Sequence, residues 1–253
     1  MREYCGYRER TASPLLRRNL PSPHVVFIID FGPTLRFPGR DGSVAAHAGG
    51  FASGLCESYV LSETAGAQSG IEVNFTLMGA RRFFGLPMSE LSGRVVGLND
   101  LFGSAGARLV EELQEAPNWE ARFARLDRLL TERIGRAAPF STEIAWALRH
   151  IMESGGNVAV GALADEIGCS HKHLIVRFRD QIGVPPKLLA RIVRFDLTLQ
   201  QLDGSAPPNW AELAAACGYY DQAHLIREFR QFAGATPEEH LGQRLPEGGG
   251  VAE

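Results

Sequence analysis

Residues 217 to 240, CGYYDQAHLIREFRQFAGATPEEH, set a glycine turn, an acidic residue, a run of cations and aromatics and a Gly-x-Thr-Pro breaker in that order. The stretch GCSHKHLIVRFRDQIGVPP, residues 168 to 186, follows the same order. Leu163, Ala164 and Gly168 pair with Leu213, Ala214 and Gly218; one extra residue then enters the second turn. Beyond it, Leu174, Ile175, Phe178, Arg179, Gly183 and Pro186 pair with Leu225, Ile226, Phe229, Arg230, Gly234 and Pro237. The chain carries one small fold twice. Its repeated polar residues suit recognition rather than bond-making: guanidinium and ammonium groups bind phosphates, and side chains at a helix start reach base edges.

Two helices per copy must position those groups. Ser170 and Asp221 occupy equivalent positions, and both are residue types whose side chains accept the orphan N–H groups of a helix start. With Leu174 and Phe178 turned inward, steps of about 100° place Lys172, Val176 and Arg179 on the opposite side, with His173 on its flank. In the second copy Leu225 and Phe229 turn inward; Ala223, Arg227 and Arg230 face out, flanked by His224, with Gln222 in the first turn. A short helix carrying small residues precedes each reader, as a helix-turn-helix requires. Between the copies Leu188, Ile192, Phe195, Leu199 and Leu202 alternate at steps of four and three, which predicts one continuous helix from Pro186 to Leu202. Lys187, Arg191 and Arg194 form a cationic row beside that stripe. Two readers fixed by such a bridge would enter successive major-groove segments, about one turn of ~34 Å apart.

Bulk composition does not announce a nucleic-acid partner. The 253 residues carry a formal net charge of -3, so any cationic surface must be local. That length suggests two domains. The longest apolar runs, such as VVFII at Val25 to Ile29, fall far short of the ~20 residues a membrane span requires, and no signal-peptide pattern follows the charged start. A cytoplasmic protein without a membrane partner is the expectation. Cys5, Cys56, Cys169 and Cys217 lack metal-knuckle spacing.

Strand patterns are expected from about Pro21 to Gly79, where VVFIID is β-rich and IEVNFTL alternates apolar with polar residues. Several short strands imply a small sandwich or barrel. Helical patterns follow: ARRFFG at Ala80 to Gly85, a helix capped by Ser89, another over Asn99 to Glu115, and a firmer one starting at Asn118. The stripe Trp119, Phe123, Leu126, Leu130 and Ile134 leaves Arg122, Arg125 and Arg128 outside; it packs on its own sheet or forms a dimer seam. GRAAPFS, with a stop, a proline and a fresh cap, places the boundary between 136 and 137. The fold class is therefore α+β: a β domain over 1–136, an all-α domain over 137–242, and a glycine-rich tail over 243–253 expected to be disordered.

The second copy resembles the DNA-binding domain of the AraC/XylS family of bacterial transcription regulators. The resemblance rests on Gly218, Tyr219, Asp221, Arg227, Phe229, Arg230, Gly234, Thr236 and Pro237, and spans roughly Ser141 to Leu241. The first copy departs from the family's Ser-x-x-x-Leu-x-Arg-x-Phe: Ser170, Leu174 and Phe178 are present, but Val176 stands at the groove-facing arginine position. The resemblance implies sequence-specific binding of double-stranded DNA, with Ser170, Lys172, His173, Val176, Arg179, Asp221, Gln222, Ala223, His224, Arg227 and Arg230 as the contact set. Phosphate contact and cap support stand as equal roles for the two histidines. The amino-terminal half is similar to the family's cupin-like domain, which implies a small-molecule effector or a homodimer contact, and RNA polymerase is a further partner for an activator. Metal-binding cupins need a histidine cluster; this half has only His24 and His47, so neither metal nor cofactor is expected. Two other classes compete. An enzyme fused to a DNA-binding module would need an activated cysteine, and an architectural binder would show no sequence preference.

Overall fold

The computed structural model describes residues 2–202, 209–243 and 251–252. Among the described residues the first half supplies nine strands to two antiparallel five-stranded sheets. Its strands are β1 (Glu3–Arg10), β2 (Leu15–Asn19), β3 (Val25–Asp30), β4 (Leu35–Pro38), β5 (Val44–His47), β6 (Gly50–Ser53), β7 (Val60–Thr64), β8 (Ala67–Phe75) and β9 (Val95–Gly97). A short β10 (Val251–Ala252) pairs with β2. One sheet runs β1-β8-β3-β6-β9 and the other β10-β2-β7-β4-β5.

Alternation explains how the first sheet is used. Val25, Phe27 and Ile29 of β3 and Ile71, Val73 and Phe75 of β8 are fully buried and share one face. That face packs on α1 (Leu77–Phe84), where Phe83 lies 5.5 Å from Phe27 and 4.8 Å from Phe75 between ring centroids. Phe51 of β6 lies on the other face, in register with Ile28, and meets Phe37 of the second sheet at 4.8 Å. The two sheets form an open sandwich rather than a closed barrel. Strands begin at Glu3, well before Pro21. β1 pairs with β8 along its whole length, yet it is an edge strand whose side chains are mostly exposed, so EYCGYRER has no apolar alternation to read.

Several helix expectations shift. Ser89 lies inside a single 3-10 turn, Met88–Glu90, rather than capping a helix. The stretch expected as one helix over 99–115 is α2 (Leu98–Phe102) and α3 (Ser104–Gln114), parted at Gly103, whose φ of 57° and ψ of -142° no helix accommodates. α4 (Trp119–Arg136) starts as expected, with Asn118 Oδ1 accepting from the Ala121 N–H at 2.8 Å. Its stripe packs within its own domain, on α1, α3 and the β1 edge: Leu126 and Leu130 are buried, Trp119 lies against Gly6, and the Phe123 ring is tilted against Tyr4 of β1 at 5.3 Å while the Tyr4 hydroxyl donates to Asp127 at 2.7 Å. Arg122 and Arg125 are not idle surface; they donate to the Leu113 and Glu112 carbonyls at the end of α3.

The second half is helical: α5 (Thr142–Glu153), α6 (Val160–Ile167), α7 (His171–Ile182), α8 (Pro186–Gln201), α9 (Trp210–Ala216), α10 (Gln222–Ala233) and α11 (Pro237–Gly242). Among the described residues no helix is long and apolar enough to cross a membrane. Of the tail expected to be disordered, residues 244–250 and 253 lie outside the described residues.

Candidate nucleic-acid interface

The two copies superpose in their local chemistry. α6 ends at Gly168 with φ 73°, and α9 is followed by Gly218 with φ 75°, both in the left-handed region where a Cβ is strained. The additional residue, in Tyr219–Tyr220, lies between that second glycine and the cap. Ser170 Oγ accepts from the His173 N–H at 3.2 Å, and Asp221 Oδ1 accepts from the His224 N–H at 2.7 Å, so each reader helix starts on a side-chain cap. Leu174, Phe178, Leu225 and Phe229 are each at most 1% exposed, which fixes how both helices are rotated.

That rotation exposes the expected faces. Ser170, Lys172, His173, Val176 and Arg179 are exposed on the first unit; Asp221, Gln222, Ala223, Arg227 and Arg230 are exposed on the second. Val176 is 60% exposed, an apolar side chain left in water at a position where packing asks for nothing. Lys172, Arg179, Arg227 and Arg230 make no ion pair or side-chain hydrogen bond with other described residues. Arg177 turns away: its Nη2 donates to Ser141 Oγ at 2.8 Å and lies 3.7 Å from Glu143, at the start of α5.

The two histidines part company. His173 is exposed. His224 is half-buried, edge-on to Tyr219 at 5.3 Å, with Nδ1 accepting the Tyr220 N–H at 3.4 Å and Nε2 3.8 Å from Glu228. It lies in the first turn of α10 and packs back on the turn that precedes the helix.

α8 joins the copies as one helix of 16 residues, about 24 Å long. Leu188, Ile192 and Phe195 are buried along it, and Phe195 meets Phe229 and Phe232 of α10 at 5.1 and 5.0 Å. The cationic row expected beside the stripe is a brace. Arg191 Nε donates to Glu228 at 2.6 Å and its Nη2 to Gln231 at 2.6 Å. Arg194 donates to the Gly218 carbonyl at 3.0 Å, lies over the Tyr219 ring and faces the second Glu228 oxygen at 3.7 Å. Only Lys187 of the three is exposed. Sequence reasoning missed Glu228, although an acid beside the inward Phe229 asks for a buried cation. It also missed Tyr220, 93% exposed and adjoining the Asp221 cap.

Burial pushes the Cys56 and Cys217 thiols up, and burial with Glu72 and Glu3 nearby pushes Cys5 up, the reverse of an activated nucleophile. On the inter-sheet face of the first sheet, Tyr7, Asp30 and Gly70 share a rung, with Glu9 and Gln68 on the next. Glu9 pairs with Arg17 of β2. Asp30 is 1% exposed, its carboxyl pushed up by burial, and Asp30 Oδ2, Gln68 Nε2 and Arg17 Nε have no hydrogen-bond partner among the described residues.

Two capped helix-turn-helix units on one connecting helix, behind an open β sandwich, define a DNA-binding regulator architecture. The family model described as a helix-turn-helix domain matches residues 163–243, so the carboxy-terminal region carries a helix-turn-helix domain of the AraC type. No curated protein sequence matches the chain. The structure is similar to ToxT from Vibrio cholerae with a TM-score of 0.51 at 10% identity, covering 95% of this chain and 97% of that one. A ToxT structure bound to (E)-4-(8-methylnaphthalen-1-yl)but-3-enoic acid has the same TM-score and identity, covering 95% and 98%. The likeness extends the shared fold over both halves of the chain.

Proposed function

We propose that the chain is a sequence-specific transcription regulator that places α7 and α10 in successive major-groove segments of one duplex. The observation that carries this reading is the recurrence, after two capped glycine turns, of exposed faces whose cations form no ion pair or side-chain hydrogen bond among the described residues. Lys172, His173, Arg179 and Arg230 serve as phosphate contacts, supported by the helix N-termini capped at Ser170 and Asp221. Gln222, Ala223 and Arg227 meet base edges in the second segment, with Arg227 to guanine as the strongest discriminator. Val176 packs on a thymine methyl in the first. His224 supports the cap.

The β domain over 1–136 supplies the regulation. ToxT takes an aryl-substituted carboxylic acid; here the inter-sheet cluster of Tyr7, Asp30, Gln68 and Arg17 offers both donors and acceptors to a small polar effector, which acts through different affinities for two states of the protein. Selection of bound fragments from random duplex DNA by the full chain tests the reading. A bipartite consensus with half-sites one helical turn apart, outcompeting random duplex at fixed salt, is the expected result; equal affinity for random duplex would replace it with an architectural binder.

A further inference from the structure

The β domain is attached at the C-terminal ends of α7 and α10, whereas the caps at Ser170 and Asp221 lie at their N-terminal ends. At the end of α10, the Tyr59 N–H donates to the Phe232 carbonyl at 2.8 Å, and Arg18 Nη1 donates to the Ala233 carbonyl at 3.0 Å. These carbonyls belong to the last turn, which a helix leaves without internal partners. Arg18 is only 7% exposed and also lies over the Tyr59 ring at 4.8 Å, while Arg40 lies over the same ring at 4.5 Å. Gly234, with φ 72°, lets the Tyr59 ring come in so close that a Cβ there would collide with it. At the end of α7, Gly183 abuts the Met88 carbonyl, and Arg81 of α1 lies 3.6 Å from Asp180.

We propose that Arg18 and Tyr59 are positioning residues for DNA reading, through which the β domain acts as a second strut beside α8 and fixes the spacing of the two readers. The contacts close a ring: α7 to α8 through the chain, α8 to α10 through Arg191, Arg194 and Glu228, α10 to the β domain through Arg18 and Tyr59, and the β domain back to α7 through Met88 and Arg81. A closed ring restrains relative motion that α8 alone would leave to one helix and its packing. Restraint set in advance lets the second reader bind at high effective concentration once the first is seated. None of the clasping groups lies on an exposed reader face, so the clasp does not stand between α10 and DNA.

This inference rests on the bipartite reading above, and its test separates the two. The probes are the bipartite duplex selected by the full chain, the same duplex with the first half-site scrambled, and one with half a helical turn inserted between half-sites. Arg18→Met, which removes the donor to the Ala233 carbonyl, and Tyr59→Ala, which keeps the backbone N–H but removes the ring packed on Gly234, are compared with the parent after circular dichroism has verified folding. Each variant is expected to lose about tenfold affinity for the bipartite duplex, to keep the parent's affinity for the single half-site, and to tolerate the insertion better. The salt dependence on the bipartite duplex should stay the same, because no phosphate contact is lost. Equal weakening on both duplexes, unchanged binding, or tighter binding would each overturn the strut. Failure to select any duplex would instead overturn the regulator reading.

Discussion

Glu228 offers the sharpest test of how the second reader is held. Its side chain is 9% exposed and faces Arg191 at 2.6 Å and Arg194 at 3.7 Å, whose side chains are 22% and 15% exposed. Removing one partner of a fully buried pair typically costs about 3–5 kcal/mol, because a desolvated charge is left unpaired. Here both arginines keep other contacts: Arg191 holds Gln231 and lies over Phe232, and Arg194 holds the Gly218 carbonyl and lies over Tyr219. Glu228→Ala should therefore cost about 2–3 kcal/mol. Glu228→Gln keeps an acceptor for Arg191 Nε and should cost about 1–2 kcal/mol. Urea unfolding of the full chain measures both, and a double-mutant cycle with Arg191→Met should give a coupling of about 1–3 kcal/mol. That coupling should survive 1 M salt better than an exposed pair would. A cost for Glu228→Ala within about 0.5 kcal/mol of zero, the range of ordinary surface changes, would refute the reasoning: the brace would then be a geometric coincidence with its desolvation and attraction cancelled.

Three further outcomes follow from named side chains. Arg227→Ala should relax base preference in the second half-site by about 1–3 kcal/mol, and Val176→Ala should change preference less; selection from random duplex with each variant ranks them, and the reverse order would reassign the readers. His24, hydrogen-bonded with Arg2 at 2.7 Å, is held down to about 4 by burial and by that guanidinium. The unfolded chain then binds a proton near pH 6.5 that the folded chain refuses until about 4, so stability should fall as pH drops through that window, by about 1–2 kcal/mol after allowing for partial exposure. His24→Gln should flatten that part of the urea-midpoint profile. Asp30 has the opposite linkage: its folded carboxyl resists ionisation, so stability is lost as pH rises from the unfolded value through the folded one, and Asp30→Asn should raise the unfolding free energy from urea titration at pH 7 by about 1 kcal/mol while leaving it unchanged at pH 3.

The helical half was legible because its signals are local. A cap, a glycine and the spacing of Leu174 with Phe178 are set within one turn of chain, and a repeat states them twice, so the rotation of both readers could be worked out before any contact was known. The β half was legible only where burial imposes alternation. β3 and β8 sit at the middle of a sheet and show it, whereas β1 and β2 lie toward polar surroundings and do not. What escaped entirely were pairings between distant polar groups. Arg191 and Arg194 lie on the flank of an apolar stripe, where a cation is ordinarily solvated surface; only the fold brings Glu228 against them.

The same limit hid the attachment of the β domain, and it explains why that attachment can act at a distance. Arg17 and Arg18 are neighbours on β2, and strand alternation sends their side chains to opposite faces. Arg17 pairs with Glu9 beside the polar cluster between the sheets; Arg18 reaches the last turn of α10. Nothing in the pair of residues announces this division, because two consecutive arginines read as surface. In the fold they make one short strand the shared wall of the inter-sheet cluster and the reader's clasp. A molecule that pulls on Arg17 must move β2 or leave it, and a strand hydrogen-bonded to β7 from Leu15 to Asn19 moves as a unit. Under the proposed effector reading, a displacement on one face would be delivered to the carbonyl that Arg18 holds on the other.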